Sequence, residues 1–338
     1  MKRKKIRFHN PANASRTVCC YQLSEVGDVI APSDSSDESS AKFADAGRCF
    51  ISLRGAAAMP LHGSLLLDGD QHESKYCPMC CSGPARLEAR PLIARMQLRS
   101  SRAWEARAVD LDPLEPTGHL LLVPSDDDQP LPPRAHRLLA NDFSDLVEIG
   151  RSCGRQFCVA YNSIGASAPC NHLHLVAWAT AKRTYGIATA QVVPDSEHFF
   201  LGGAVEASAL DWPAACIRVR GGSAEQCGRV VGALCAAAGT FSVAVLGFST
   251  YVFPRSAEAE MSSTISGLCL GAHHLLGHFV VESPEQLAAA VGAGGSDSSA
   301  IVAQCLRDTR GGGKSGTVEP PEAMLARLFE YGGRLMFY

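Results

Sequence analysis

Residues 161–178 read YNSIGASAPCNHLHLVAW, and the run from Asn171 to Trp178 decides how the chain folds. In it His172 and His174 stand one residue apart among Leu173, Leu175, Val176 and Ala177. That alternation predicts a strand, because side chains two apart along a strand share a face. Leu173, Leu175 and Ala177 are therefore expected in a core, with His172, His174 and Val176 facing a cleft. Just upstream, Gly165-Ala166-Ser167-Ala168 is small enough for a phosphate to reach free backbone N–H groups. An imidazole in such a place can attack phosphorus and form a labile phosphoramidate. His174 is the expected nucleophile, and His172 is expected to orient it or to bind a metal. A lone His-x-His is equally the mark of two hydrogen-bonded core histidines, so the surroundings must decide.

Outward from this block, strand and helix patterns recur. Residues 85–100 predict an early strand, and RAVDLDPLEPTGHLLLVP (107–124) predicts strand, turn, strand around a Pro/Gly/Asp centre. Residues 137–154 carry Leu138, Leu139, Phe143, Leu146, Val147 and Ile149 at helical spacing and stop at Gly154. QFCVAYNS predicts the strand before the histidine block. Farther on, AACIRVRGG reads as a strand, and Ser223 N-caps a helix that runs to Gly239. FSVAVLGFSTYVFPR (241–255) reads as two strands joined near Gly247, GHFVVESPEQLAAAVG as a strand then a helix, and EAMLARLFEYGG as a last helix. Two similar runs result, one ending at Trp178 and one near Val281. The fold expected is α+β, with two related halves and antiparallel sheets flanked by helices. The divisions are a flexible basic and Ser/Asp-rich segment at 1–45, a half at 46–185 carrying the histidine block, and a half at 186–338.

Composition bounds the function. The chain has 338 residues, 46% hydrophobic and 19% charged, which supplies a sizeable core and excludes wholesale disorder. A net charge of −3 gives no reason to expect nucleic acid or a membrane surface as partner. Fourteen cysteines, including the adjacent pairs Cys19-Cys20 and Cys80-Cys81, follow no secretory signal and read as buried thiols in a reducing compartment. A cytoplasmic protein is expected. The basic start MKRKK and the lack of Asp or Glu through residue 24 leave organellar or nuclear targeting open. No apolar run is long enough to span a bilayer.

Beyond the residues themselves, GHLLLVP (118–124) followed by YNSIGASAPCNHLHLVAW resembles the histidine-triad superfamily, and within it the GDP-hexose phosphorylases. DWPAACIRVRGG (211–222), FSVAVLGFSTYVFPR (241–255) and LLGHFVV (275–281) are similar to later blocks of that branch, in the same order. The resemblance implies a histidine-triad-like fold and a nucleotidyltransferase that uses a GDP-sugar and inorganic phosphate. His174 would attack the α-phosphorus, expel hexose 1-phosphate, and pass the guanylyl group to phosphate to give GDP. It places Asp110 at the nucleotide ribose, Asn162, Gly165, Ser167 and Asn171 in the substrate-binding segment, and implies no cofactor. His278 sits in a Gly-His pair of the family and reads as a core histidine.

One departure stands out: the family carries His or Gln at the third motif position, and this chain has Val176. Loss of one such donor costs on the order of a hundredfold to a thousandfold in rate. Two alternatives stay open, a phosphorylase or hydrolase of another nucleotide of the dinucleoside polyphosphate type, and a non-catalytic guanine-nucleotide-binding relative. Cys77 and Cys80 form a C-x-x-C that, with His172 and one of His119, His136 or Asp128, could hold a structural zinc; ordinary thiols are the simpler reading. GGGKSG (311–316) is not a phosphate loop, because Asp308 stands where the motif needs glycine. The sequence leaves the oligomeric state open.

Overall fold

The computed structural model describes residues 90–109, 118–125, 134–180, 184–256, 264–281, 283–291, 298–310 and 318–335, and the backbone of three short strands at 20–23, 29–30 and 50–53. Those three are β1 (Cys20–Leu23), β2 (Val29–Ile30) and β3 (Phe50–Leu53). The first run then gives β4 (Leu92–Gln97), β5 (Ala103–Ala108), β6 (His119–Ser125), α1 (Ala140–Cys153), β7 (Phe157–Asn162) and β8 (Leu175–Ala179). The second gives β9 (His198–Phe200), β10 (Val205–Ala209), β11 (Ile217–Gly221), α2 (Ala224–Ala238), β12 (Phe241–Leu246) and β13 (Ser249–Pro254). After these come α3 (Ala272–Leu275), β14 (His278–Val281), α4 (Pro284–Val291), α5 (Ser298–Asp308) and α6 (Pro321–Leu335).

The two runs build one 10-stranded sheet in the order β4-β5-β6-β8-β7-β12-β13-β11-β10-β9. Read from each edge to the centre, the orders β4-β5-β6-β8-β7 and β9-β10-β11-β13-β12 are the same path, with a helix between the third and fourth strands each time. The halves meet where β7 pairs antiparallel with β12, Asn162 opposite Ser242 and Cys158 opposite Leu246. Their helices also meet. A Cβ on Gly228 of α2 would lie 2.6 Å from the Ser144 backbone nitrogen of α1, and one on Gly150 of α1 would lie 2.4 Å from Val245 of β12.

Alternation sorts the core into two layers. Val159, Tyr161, Leu175, Ala177, Val243, Val245 and Val252 point to the face covered by α1, α2 and α6. Cys158, Ala160, Trp178, Ala244, Tyr251 and Phe253 point to the other, under α3, β14, α4 and α5. The helices start and stop where their side chains require. The Asp142 carboxylate accepts from Leu139 N–H at 2.7 Å, Ser223 and Gln226 cap α2 reciprocally, and Gly154 (φ 61°) and Gly239 (φ 73°) end α1 and α2 in the left-handed region.

Three expectations change. The strand predicted from His172 begins only at Leu175, because the His172 carbonyl turns to the side chains of His136 and His174 instead of joining the ladder. The second repeat of strands closes at Pro254, since β14 leaves the large sheet and pairs parallel with β3 in a 4-stranded sheet ordered β14-β3-β1-β2. That sheet also takes β1 and β2 from the segment expected to be flexible, β1 pairing antiparallel with β3 and β2 with β1. Every pairing in the large sheet is antiparallel, as expected. Among the described residues, no helix is long and apolar enough to cross a membrane.

Candidate active site

In the first half the connection from β7 to β8 is the loop 163–174, and the motif histidines lie at its end. The loop folds back at once, with Ala166 N–H donating to the Ser163 carbonyl at 2.9 Å. Gly165 (φ 79°) and Ser167 (φ 73°) both adopt left-handed backbone, which glycine tolerates and serine does not favour. Successive turns of this kind aim backbone N–H groups at one point and form an anion-binding hollow. Ser163 ties the loop to the second half, its hydroxyl accepting from Phe241 N–H at 2.9 Å.

His174 is buried, and its Nδ1 lies 2.7 Å from the His172 carbonyl oxygen. A carbonyl only accepts, so Nδ1 carries the hydrogen and the Nε2 lone pair is left for attack. Burial pushes the His174 pKa well below the usual histidine value, and the imidazoles of His136, His172 and His119 push the same way against the bond to the His172 carbonyl. The ring is therefore neutral at physiological pH, the form a nucleophile needs.

The other expected residues take distinct places. Asn162 ends β7, and its Oδ1 accepts from the Ser242 hydroxyl at 2.8 Å and from Ala272 N–H at 2.9 Å, which directs its amide NH2 elsewhere. Ser167 contacts Cys269, Oγ to Sγ 3.0 Å. Asn171 is buried, and its Oδ1 accepts from His136 N–H at 2.8 Å, so its observed work is to hold another residue. Asp110, Cys77 and Cys80 lie outside the described residues. Among the described residues no three His, Cys, Asp or Glu side chains are arranged to hold a metal ion. Val176 stands opposite Leu121 and Ala160 and packs into the apolar group of Leu121, Val123 and Cys170. His278 is fully buried on β14, with its ring edge toward Tyr185 and His273.

The sequence offers His136 only as a possible fourth zinc ligand, yet its ring stacks on His174 with centroids 4.4 Å apart. His119 also belongs to this neighbourhood, opposite Trp178 in the ladder and close enough to act on His174. The buried thiols behave as expected of small apolar groups: burial raises Cys158, Cys216 and Cys235 well above the usual thiol pKa, and half-buried Cys153 rises to about 11.

No family model and no curated protein matches the sequence. Solved structures share the fold, among them two of a yeast enzyme. The yeast Ap4A phosphorylase Apa2 in complex with Ap4A is 15% identical, with a TM-score of 0.51 over 77% of this chain and 84% of that one. A second structure of the same yeast phosphorylase gives a TM-score of 0.50 at 15% identity, over 77% of this chain and 85% of that one. The chain thus has the α+β, histidine-triad-like fold that its histidine block implied.

Proposed function

We propose that the chain is a nucleotidyltransferase acting as a phosphorylase, with His174 as the nucleophile, and that its substrate is of the dinucleoside polyphosphate type. The observation that carries this is a buried, neutral His174 held with Nδ1–H on the His172 carbonyl, beside a loop whose left-handed turns suit phosphate. Nε2 would attack the α-phosphorus, forming a P–N bond as the P–O bond to the rest of the polyphosphate breaks. The leaving nucleoside polyphosphate departs with the electron pair of that bond. Inorganic phosphate then attacks the same phosphorus, the P–N bond breaks, and a nucleoside diphosphate is released with His174 restored.

Fold likeness to a protein described as an Ap4A phosphorylase favours the dinucleoside polyphosphate over a GDP-hexose. The GDP-hexose reading keeps its own support in the ordered blocks 118–124, 161–178, 211–222, 241–255 and 275–281. Both use the same two steps and differ only in the leaving group. Val176, packed among apolar side chains, offers the transferring group no hydrogen bond, so turnover on either substrate is expected to be slow.

A substrate panel separates the readings. Incubation with Ap4A, Gp4G, GDP-D-glucose and GDP-L-galactose, each with and without phosphate, is followed by chromatography of the nucleotides. Phosphate-dependent release of a nucleoside diphosphate from the dinucleotides, and not from the sugars, supports the proposal. Release of GDP from the sugars alone turns the assignment to the GDP-hexose. Binding without release from any of the four supports the non-catalytic reading instead.

A further inference from the structure

Every polar atom of His136 has a partner within hydrogen-bond distance, and because both ring nitrogens face carbonyls, a neutral ring donates to only one of them at a time. Its N–H donates to Asn171 Oδ1 at 2.8 Å, and its carbonyl accepts from the Tyr161 hydroxyl at 2.9 Å. Its Nδ1 lies 2.9 Å from the His172 carbonyl oxygen and its Nε2 2.7 Å from the Asn162 carbonyl oxygen. The ring is sandwiched, with Tyr161 at 4.7 Å and 26° on one side and His174 at 4.4 Å and 29° on the other.

The segment that carries it is anchored at both ends. Asp142, fully buried, takes the Arg134 guanidinium at 3.2 and 2.8 Å and the Leu139 N–H at 2.7 Å. Arg134 returns its carbonyl to Leu173 N–H at 2.8 Å, inside the motif itself. A histidine that only filled the core would also have its nitrogens bonded; this one shares its acceptor with His174.

What the arrangement controls is the His172 carbonyl, which faces His174 Nδ1 at 2.7 Å and His136 Nδ1 at 2.9 Å. That oxygen decides which nitrogen of His174 holds the proton. A terminal ring torsion is broad and nearly two-fold, so without a fixed acceptor and a neighbouring face the imidazole could turn over. Inverting it would present carbon or N–H where the lone pair is needed.

We infer that His136 is a positioning residue for His174: its ring and the carbonyl they share hold the imidazole in the Nδ1–H tautomer with Nε2 open to phosphorus. The catalytic half of this statement rests on the reading of His174 as nucleophile, whereas the tautomer half stands without it.

The test is long-range 1H–15N correlation on 15N-histidine-labelled full-length protein at pH 8, with His174 assigned by its absence in His174→Ala. The wild type is expected to show His174 as Nδ1–H alone; an Nε2–H tautomer there overturns the inference without any variant. His136→Phe keeps a stacking ring and loses both nitrogens, and His136→Gln restores one N–H donor. In His136→Phe, cross-peaks of the second tautomer are expected, with single-turnover nucleotidylation slowed about tenfold to a hundredfold at unchanged substrate affinity. His136→Gln should recover part of both. A purely structural His136 would lower the melting temperature and leave the His174 tautomer single in both folded variants, and that result overturns the inference. A tautomer that shifts while no nucleotide modifies the wild type upholds the positioning role and removes the transferase reading.

Discussion

The two halves of the large sheet follow one path and differ at one connection. In the first, β7 reaches β8 through the loop 163–174, which bends through left-handed Gly165 and Ser167 and delivers His172 and His174. In the second, β12 reaches β13 through Gly247 and Phe248 alone. Gly247 has φ 62°, the left-handed backbone that a tight hairpin asks of its first residue, and Phe248 stands out in solvent. The same scaffold thus carries the proposed site in one copy and the support for it in the other. The support is direct: Ser242 and Phe241 of the second half hold Asn162 and Ser163 of the first. A repeat need not duplicate chemistry to be useful; here one half braces the loop of the other.

The largest expected effect falls on the armed half. His174→Ala should lower turnover roughly a thousandfold or more while far-ultraviolet circular dichroism stays unchanged, because on the proposed mechanism its Nε2 forms the bond to phosphorus. An equal loss from a change confined to β13 would break the comparison. Next comes the seam. Gly228→Ala drives a methyl group to within 2.6 Å of the Ser144 backbone, and backbone cannot step aside as a side chain can. Denaturant titration should show about 1–3 kcal/mol of lost stability, and an unchanged midpoint would mean that the halves do not meet through their helices.

The alternation of Leu175 and Ala177 with Trp178 suffices to assign the faces of β8, although the strand starts three residues later than the histidine pattern suggests. Ser223 with Gln226 marks the start of α2 just as plainly. What the residues do not disclose is long-range. His136 sits in Arg134-Ala135-His136-Arg137, which has no periodicity, and its importance comes from Tyr161, Asn162, Asn171 and His172, distant in sequence. The nearest local signal is Asp142, three residues beyond Leu139, where a helix cap would bring the preceding segment inward. The helix α5 has no such start signal: its apolar residues Ile301, Val302, Cys305 and Leu306 follow a Gly/Ser run. The pairing of β14 with β3 has no local mark at all.

Acidification should reveal the same asymmetry more gently. His174 is held neutral when folded and takes up a proton near its ordinary value of 6.5 when unfolded. Its contribution to stability is therefore complete above about pH 6.5 and is lost as pH falls from there toward the depressed folded value. The slope is at most about 1.4 kcal/mol per pH unit for this one group. Urea titrations of wild type and His174→Ala between pH 5 and 8 isolate it: the two curves should converge in slope only above 6.5. The smallest expected effect is at the unarmed turn. Gly247→Ala forces a side chain into left-handed backbone and should cost roughly 1 kcal/mol in thermal unfolding, with turnover untouched. A loss of turnover there would mean that the short turn shares in the chemistry.

The central claim, that one histidine of the armed half carries the nucleotide, is tested most directly by intact-protein mass spectrometry. The protein is mixed briefly with Ap4A, and separately with GDP-D-glucose or GDP-L-galactose, without phosphate, and quenched at high pH. A mass gain of one nucleoside monophosphate residue is expected, absent in His174→Ala and discharged to the nucleoside diphosphate when phosphate is added. A protein that binds these nucleotides yet never gains the mass, or that gains it equally in His174→Ala, would contradict it.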